Sequence, residues 1–160
     1  MAINANQLKS YVIEPTLKYL DLYSDASVNL LLGTCAQESH MGTYIHQLGN
    51  GPACGIYQME PFTHKDLWKN FLGGKLNLSS KIRSLMSDCD KADQDKALIT
   101  NLAYATAMTR VFYLRIKESL PQANDIEGMA KYWKLYYNTV KGKGTEHEFI
   151  SNYERYVLNR

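Results

Sequence analysis

Apolar side chains return every three or four residues along most of this chain, and alternating apolar and polar runs stay shorter than about five residues, the pattern of helices rather than of sheet. From Asn6 or Gln7 to Leu20, the residues Leu8, Tyr11, Val12, Leu17 and Leu20 fall partly on one side of a first helix, which Pro15 should end or kink. Ser24 is suited to cap a second helix from Asp25 to about Ser39, with Val28, Leu31, Leu32 and Cys35 as its apolar stripe. The period lapses between His40 and Met59, where Gly42, Gly49, Gly51, Pro52 and Gly55 predict a loop or short hairpin.

Pro61 fits the first turn of a third helix that reaches Leu72 and stops at Gly73 and Gly74, and a short helix is expected from about Ser79 to Ser87. Asp93 to Ser119 gives the longest helical reading. Leu98, Ile99, Leu102, Ala105, Met108, Val111, Phe112 and Ile116 nearly encircle it, as in a helix buried at the centre of a domain. Pro121 closes that run, and Asp125 caps another helix to about Asn138 with Ile126, Met129, Ala130, Trp133 and Tyr137 on one stripe. After breaks at Gly142 and Gly144, Thr145 caps a last helix bearing Phe149, Tyr153 and Tyr156. The prediction is a mainly α fold, one domain over residues 1–160, with a central buried helix.

Composition narrows this picture. A chain of 160 residues can bury one real core, hiding roughly 70% of its unfolded surface, and a monomer is expected. Eighteen basic against sixteen acidic side chains leave a net charge of +2, too little for a protein that neutralises nucleic-acid phosphates but compatible with an anionic polymer. Twelve tyrosines and two tryptophans suit the flat, hydroxyl-edged faces of sugars, and equally suit a helical core. Cys35, Cys54 and Cys89 are odd in number and lack a C-x-x-C spacing, so free thiols are expected rather than a disulfide framework or a zinc cluster. Met1 to Tyr11 lacks the apolar run of a secretory signal, and no segment approaches the roughly 20 apolar residues of a membrane span. No leader and no membrane insertion are expected.

Candidate chemistry starts at Glu38, three residues beyond Cys35 and seven beyond Leu31, where helical spacing puts a carboxyl group on the buried face. It also sits at the C-terminal, negative end of its helix. Desolvation and the dipole both resist ionisation, which is what a general acid working near neutral pH requires. A glutamate bending out to water at a frayed end is the plainer alternative. Some twenty residues later, Gly55-Ile56-Tyr57-Gln58-Met59 brings a phenol and an amide together after a glycine-rich turn, and Gln58 can both donate to and accept from sugar hydroxyls and N-acetyl groups.

Taken in order, Glu38-Ser39 at a helix end, the Gly55 to Met59 string and Tyr137-Asn138 near the end of a late helix resemble the three-motif pattern of soluble-lytic-transglycosylase-like domains, part of the lysozyme-like superfamily. The resemblance runs from about residue 24 to residue 145, and the stretch from Gly55 to Thr63 looks more like phage cell-wall lysins than like bacterial periplasmic members. It implies a lysozyme-like domain with a glycan-binding cleft, Glu38 as catalytic acid, Gln58 as an amide lining the cleft, Ser39 touching the sugar undergoing cleavage, and Tyr137 bonding the catalytic carboxylate. Tyr57 and Asn138 join the substrate-binding set, and Tyr136 is the alternative for the tyrosine role. The family usually places a glycine soon after Tyr-Asn, whereas here Thr139-Val140-Lys141 precede Gly142. The implied partner is peptidoglycan glycan strands, with no cofactor or metal, and the implied location is the host cytoplasm before release to the cell wall, or the virion.

Glycoside cleavage needs a proton for the leaving oxygen and a partner for a positive, oxocarbenium-like centre. Glu60, just before Pro61 at the positive end of a predicted helix, is the candidate second catalytic carboxylate that would hold water. Without it, the muramic hydroxyl would attack internally. Arg110, alone in an apolar helix, must find a partner: a structural carboxylate, or Glu38 or substrate. Tyr104 and Tyr113 are candidates for the cleft or for packing. Two other readings stand beside the glycosidase: a zinc amidase drawing on His40, His46, His64, Cys54 and Cys89, and a non-catalytic virion or adaptor protein of the same fold. Neither Gly49-Asn50-Gly51 nor Gly142-Lys143-Gly144-Thr145 has the spacing of a nucleotide loop.

Overall fold

Helices dominate the computed structural model, which describes residues 1–139 and 141–160; Val140, counted above among the residues between Asn138 and Gly142, lies outside them. The chain opens with α1 (Ala5–Leu8), a π-helical turn (Lys9–Ile13) and α2 (Glu14–Tyr19), which follow one another without a break. Pro15 therefore does not end the helix. It lies in the first turn of α2, and the widened turn ahead of it makes room for the ring and for its missing N–H.

Helix α3 (Asp25–Ser39) starts at a reciprocal cap, the Ser27 N–H donating to Ser24 Oγ at 3.1 Å and the Ser24 N–H to Ser27 Oγ at 3.0 Å. Every residue from Leu30 to Ala36 is buried, so α3 runs through the interior and carries its C-terminal end to a protected place. The next helices are α4 (Pro61–Asp66), prolonged by a π-helical segment (Leu67–Phe71), and α5 (Leu76–Ser84), which begins and ends earlier than the expected short helix.

The long run predicted from Asp93 to Ser119 is instead divided. It yields α7 (Gln94–Thr100) and α8 (Leu102–Leu114), preceded by α6 (Asp88–Ala92). The break is at Asn101, whose side-chain oxygen accepts from the Tyr104 N–H at 2.9 Å while its amide donates to Leu85 O at 2.9 Å and Asp90 Oδ2 at 3.0 Å. An amide side chain that bonds local backbone and a neighbouring loop outcompetes the continuing helix. Asp125 caps α9 (Ile126–Tyr132), a π-helical segment follows (Trp133–Asn138), and Thr145 caps α10 (Glu146–Tyr156).

α8 is the central buried helix. Ala105 and Tyr113 face a core shared with Leu31, Met129, Trp133 and Phe149, while Tyr104, Ala107, Met108 and Val111 face a second core with Leu67, Ile82 and Leu98. Each fully buried side chain of this kind contributes about 1.5–3 kcal/mol, so the shared wall joins both halves into one body. Between α3 and α4 the loop folds back on itself through isolated bridges, Cys54 pairing with Met59 and with His46; among the described residues there is no longer strand. No described helix is long and apolar enough to cross a membrane.

Candidate active site

A cleft of about 660 Å³ opens where the C-terminal end of α3, the loop before α4 and the π-helical Trp133–Asn138 segment meet. Gln37 and Glu38 reach it from α3, Gln58, Glu60 and Thr63 from the loop and α4, and Tyr137 and Asn138 from the π-helical segment. Four residues separated by up to 100 positions in sequence, Glu38, Gln58, Tyr137 and Asn138, are thus brought to one cavity.

The turn after Glu38 is built under tension. His40, Met41 and Gly42 have φ of 49°, 55° and 70°, and two of the three carry side chains that disfavour the left-handed region. Ser39 holds the turn in place: its hydroxyl accepts from the Gly42 N–H at 2.8 Å and donates to Ile56 O at 2.6 Å. The chain end that carries Glu38 is thereby riveted to the Gly55–Met59 string. Gly55 is required there twice over, since its φ is 76° and a Cβ would stand 2.0 Å from Leu98 O.

Glu38 is half-buried, and its Oε1 accepts one hydrogen bond, from Trp133 Nε1 at 2.8 Å. Burial raises its pKa from 4.5 to about 7, and the indole donor, which favours the charged form, works against that rise. Tyr44 donates to the Glu38 main-chain carbonyl at 2.9 Å, satisfying one of the free carbonyls at the helix end. The result is a carboxyl group that holds its proton near neutrality beside an open groove. It can protonate a leaving oxygen.

No family model, curated protein or solved structure matches this chain.

Several sequence-derived placements need correcting. Ser39 is wholly buried and spent on the turn, so it does not reach a sugar. Tyr57 is buried as well, its hydroxyl 3.0 Å from Thr106 Oγ1; of the Gly55–Met59 string only Gln58 is not buried. Tyr137 lines the cleft but its hydroxyl donates to Tyr57 O at 2.7 Å, not to Glu38. The ring is clasped by Phe112 and Tyr113, with centroids 4.8 and 5.5 Å away. Tyr136 packs on Tyr132 at 4.8 Å and takes no part. Tyr104 and Tyr113 belong to the core.

Gln58 itself adopts a φ of 49° and donates from Nε2 to Gly55 O at 2.8 Å, leaving its oxygen for the cleft. Asn138 Oδ1 is held by Lys134 Nζ at 2.7 Å. Glu60 is exposed at the cleft and precedes α4 without capping it through its side chain. Among the described residues Arg110 meets no carboxylate: Nε donates to Leu22 O at 3.3 Å, and Nη1 is buried without a partner there. The histidines and cysteines weighed as zinc ligands are dispersed; among the described residues no three His, Cys, Asp or Glu are grouped to hold a metal. Trp133 was legible only as a stripe residue, although a buried indole N–H always needs an acceptor.

Proposed function

We propose that this chain cleaves the glycan strands of peptidoglycan, at the β-1,4 bond between N-acetylmuramic acid and N-acetylglucosamine, with Glu38 as general acid. The observation that carries this reading is a carboxyl group with pKa about 7 on the wall of a 660 Å³ cleft whose other walls offer an amide, hydroxyls and aromatic edges. A neutral carboxyl donates its proton to the glycosidic oxygen as the C–O bond breaks, and positive charge develops on the sugar. Gln58 and Asn138 are placed to bind sugar hydroxyls and N-acetyl groups, and Lys143 at the cleft suits the carboxylates of the polymer.

Glu60 shares the cleft with Glu38 and supplies the second catalytic carboxylate, holding the water that completes hydrolysis. The lysozyme-like resemblance of the ordered motifs supports the same substrate, and a phage lysin, acting from the host cytoplasm or the virion, is the setting it favours. Mass analysis of muropeptides released from purified sacculi tests all of this together. Reducing muramic ends are expected. Anhydro-muramic ends would remove Glu60 and make the enzyme a lytic transglycosylase; cleavage confined to the peptide stems, or no release at all, would refute the proposal.

A further inference from the structure

We infer that Trp133 is the positioning residue of Glu38 and that its indole divides the work of the two carboxyl oxygens, Oε1 being held by the protein and Oε2 carrying the transferable proton into the cleft. The catalytic half of this inference rests on the glycosidase reading; the hydrogen-bond half does not.

An indole N–H donates and has no lone pair with which to accept, so the oxygen 2.8 Å from it must be an acceptor in either protonation state of Glu38. In the neutral acid the carbonyl oxygen is the stronger acceptor, so the indole favours the carbonyl at Oε1 and the proton on Oε2. No donor among the described residues reaches Oε2, and it is not sealed among the buried unpartnered atoms, so it opens onto the cleft that Glu38 lines. The carboxyl group is thus neither free to rotate nor shared with a tyrosine.

Trp133 can serve as a fixed point because it is closely packed. It is fully buried, its ring lies 5.5 Å from that of Phe149, and Gly144 approaches so closely that a Cβ there would stand 2.6 Å from Trp133 Cη2. It is the first residue of the π-helical segment Trp133–Asn138, and such widened turns re-aim side chains where a regular helix would not. Tyr137, one turn on, is already committed to Tyr57 O.

In the reaction, the Oε2–H bond breaks toward the glycosidic oxygen, which receives the proton together with the electron pair of the departing C–O bond. The carboxylate left behind keeps the indole N–H on Oε1. That bond strengthens as the charge appears, so it favours proton release at the moment of cleavage.

The test uses the full chain labelled with 15N. Its two indole N–H signals come from Trp68 and Trp133. Trp133→Phe identifies the second by deletion and Trp68→Phe by exclusion, so the assignment survives if one variant fails to fold. The Trp133 signal is expected to move with pH around a midpoint near 7 and to become flat in Glu38→Gln. A signal indifferent to pH between about 5 and about 9, or titrating unchanged in Glu38→Gln, overturns the inference. On activity, Trp133→Phe should shift the alkaline limb of the pH–rate profile upward by about one unit, the worth of one charge-assisted hydrogen bond. A uniform loss of rate at every pH, with the limb unmoved, would reduce Trp133 to a packing residue. If the wild type releases no muropeptides, the functional reading fails, while the indole titration still decides the pairing.

Discussion

Glu38 and His64 are both titratable groups enclosed by packed helices, and they are wired in opposite ways. His64 is buried, its Nδ1 2.8 Å from Asp95 Oδ1 and its Nε2 2.7 Å from the Tyr104 hydroxyl, which also accepts from Trp68 Nε1 at 2.9 Å. The Asp95 carboxylate only accepts, so Nδ1–H of a neutral imidazole donates to it, and Nε2 is left to accept from the Tyr104 hydroxyl. Every valence of a neutral imidazole is used. Burial pushes its pKa below 6.5, against the pull of Asp95. Glu38 has one oxygen held and one open to a cleft. A closed network fastens α4 to α7 and α8; an open one is free to act on something that enters.

That contrast breaks first at Glu38. Glu38→Gln keeps the shape and an acceptor for Trp133 but removes the proton, so muropeptide release should fall by about 10²–10⁴-fold while the melting temperature hardly drops. Loss of folding together with activity would mean that Glu38 is structural, as His64 is. His64→Phe is the reverse experiment. It strands Tyr104 and Asp95, and urea unfolding should show a loss of about 3 kcal/mol, with turnover per folded molecule nearly preserved.

Stability against pH sharpens the same comparison, because the two groups contribute with opposite sign. The folded-state pKa of Glu38 is raised, so its stabilising contribution is complete below pH 4.5 and is lost as pH climbs through about 7. His64 is depressed, so its contribution is complete above pH 6.5 and declines as the pH falls below that value. Between pH 4.5 and 7, Glu38→Gln should therefore gain on the wild type by up to about 3 kcal/mol as pH rises, measured as the difference in unfolding free energy. A constant difference would show that the Glu38 carboxyl is not sheltered.

The smallest effect is expected at Arg110, a third buried polar group that is neither closed nor useful. Its Nη1 has no partner among the described residues and burial lowers its pKa, so Arg110→Met should raise stability by about 1 kcal/mol in chemical denaturation. A marked loss would reveal an acceptor, such as an enclosed water, at Nη1.

Much of the helical frame was legible in the sequence. Ser24, Asp125 and Thr145 cap as read, and Pro61 opens α4, because caps and first turns involve partners three residues away. The location of Glu38 on a buried face followed from the same short-range periodicity. The division of the long helix at Asn101 was not legible, since the rivals to the helical bond there include Leu85 and Asp90 from another element. Nor was the inward turn of Ser39 and Tyr57, which each stand directly beside a residue of the cleft, Glu38 and Gln58.

The sequence by itself determined which segments coil, where they start, and that an acid would lie at the end of a buried helix, all consequences of spacings within four residues. Only the tertiary structure decided which donor meets that acid. Trp133 and Tyr137 occupy one stripe in sequence, yet a π-helical turn and the packing of Phe149 and Gly144 send the indole to Glu38, 95 positions away, and the phenol to Tyr57. Such a choice depends on the paths of two distant backbones, and no local pattern encodes it.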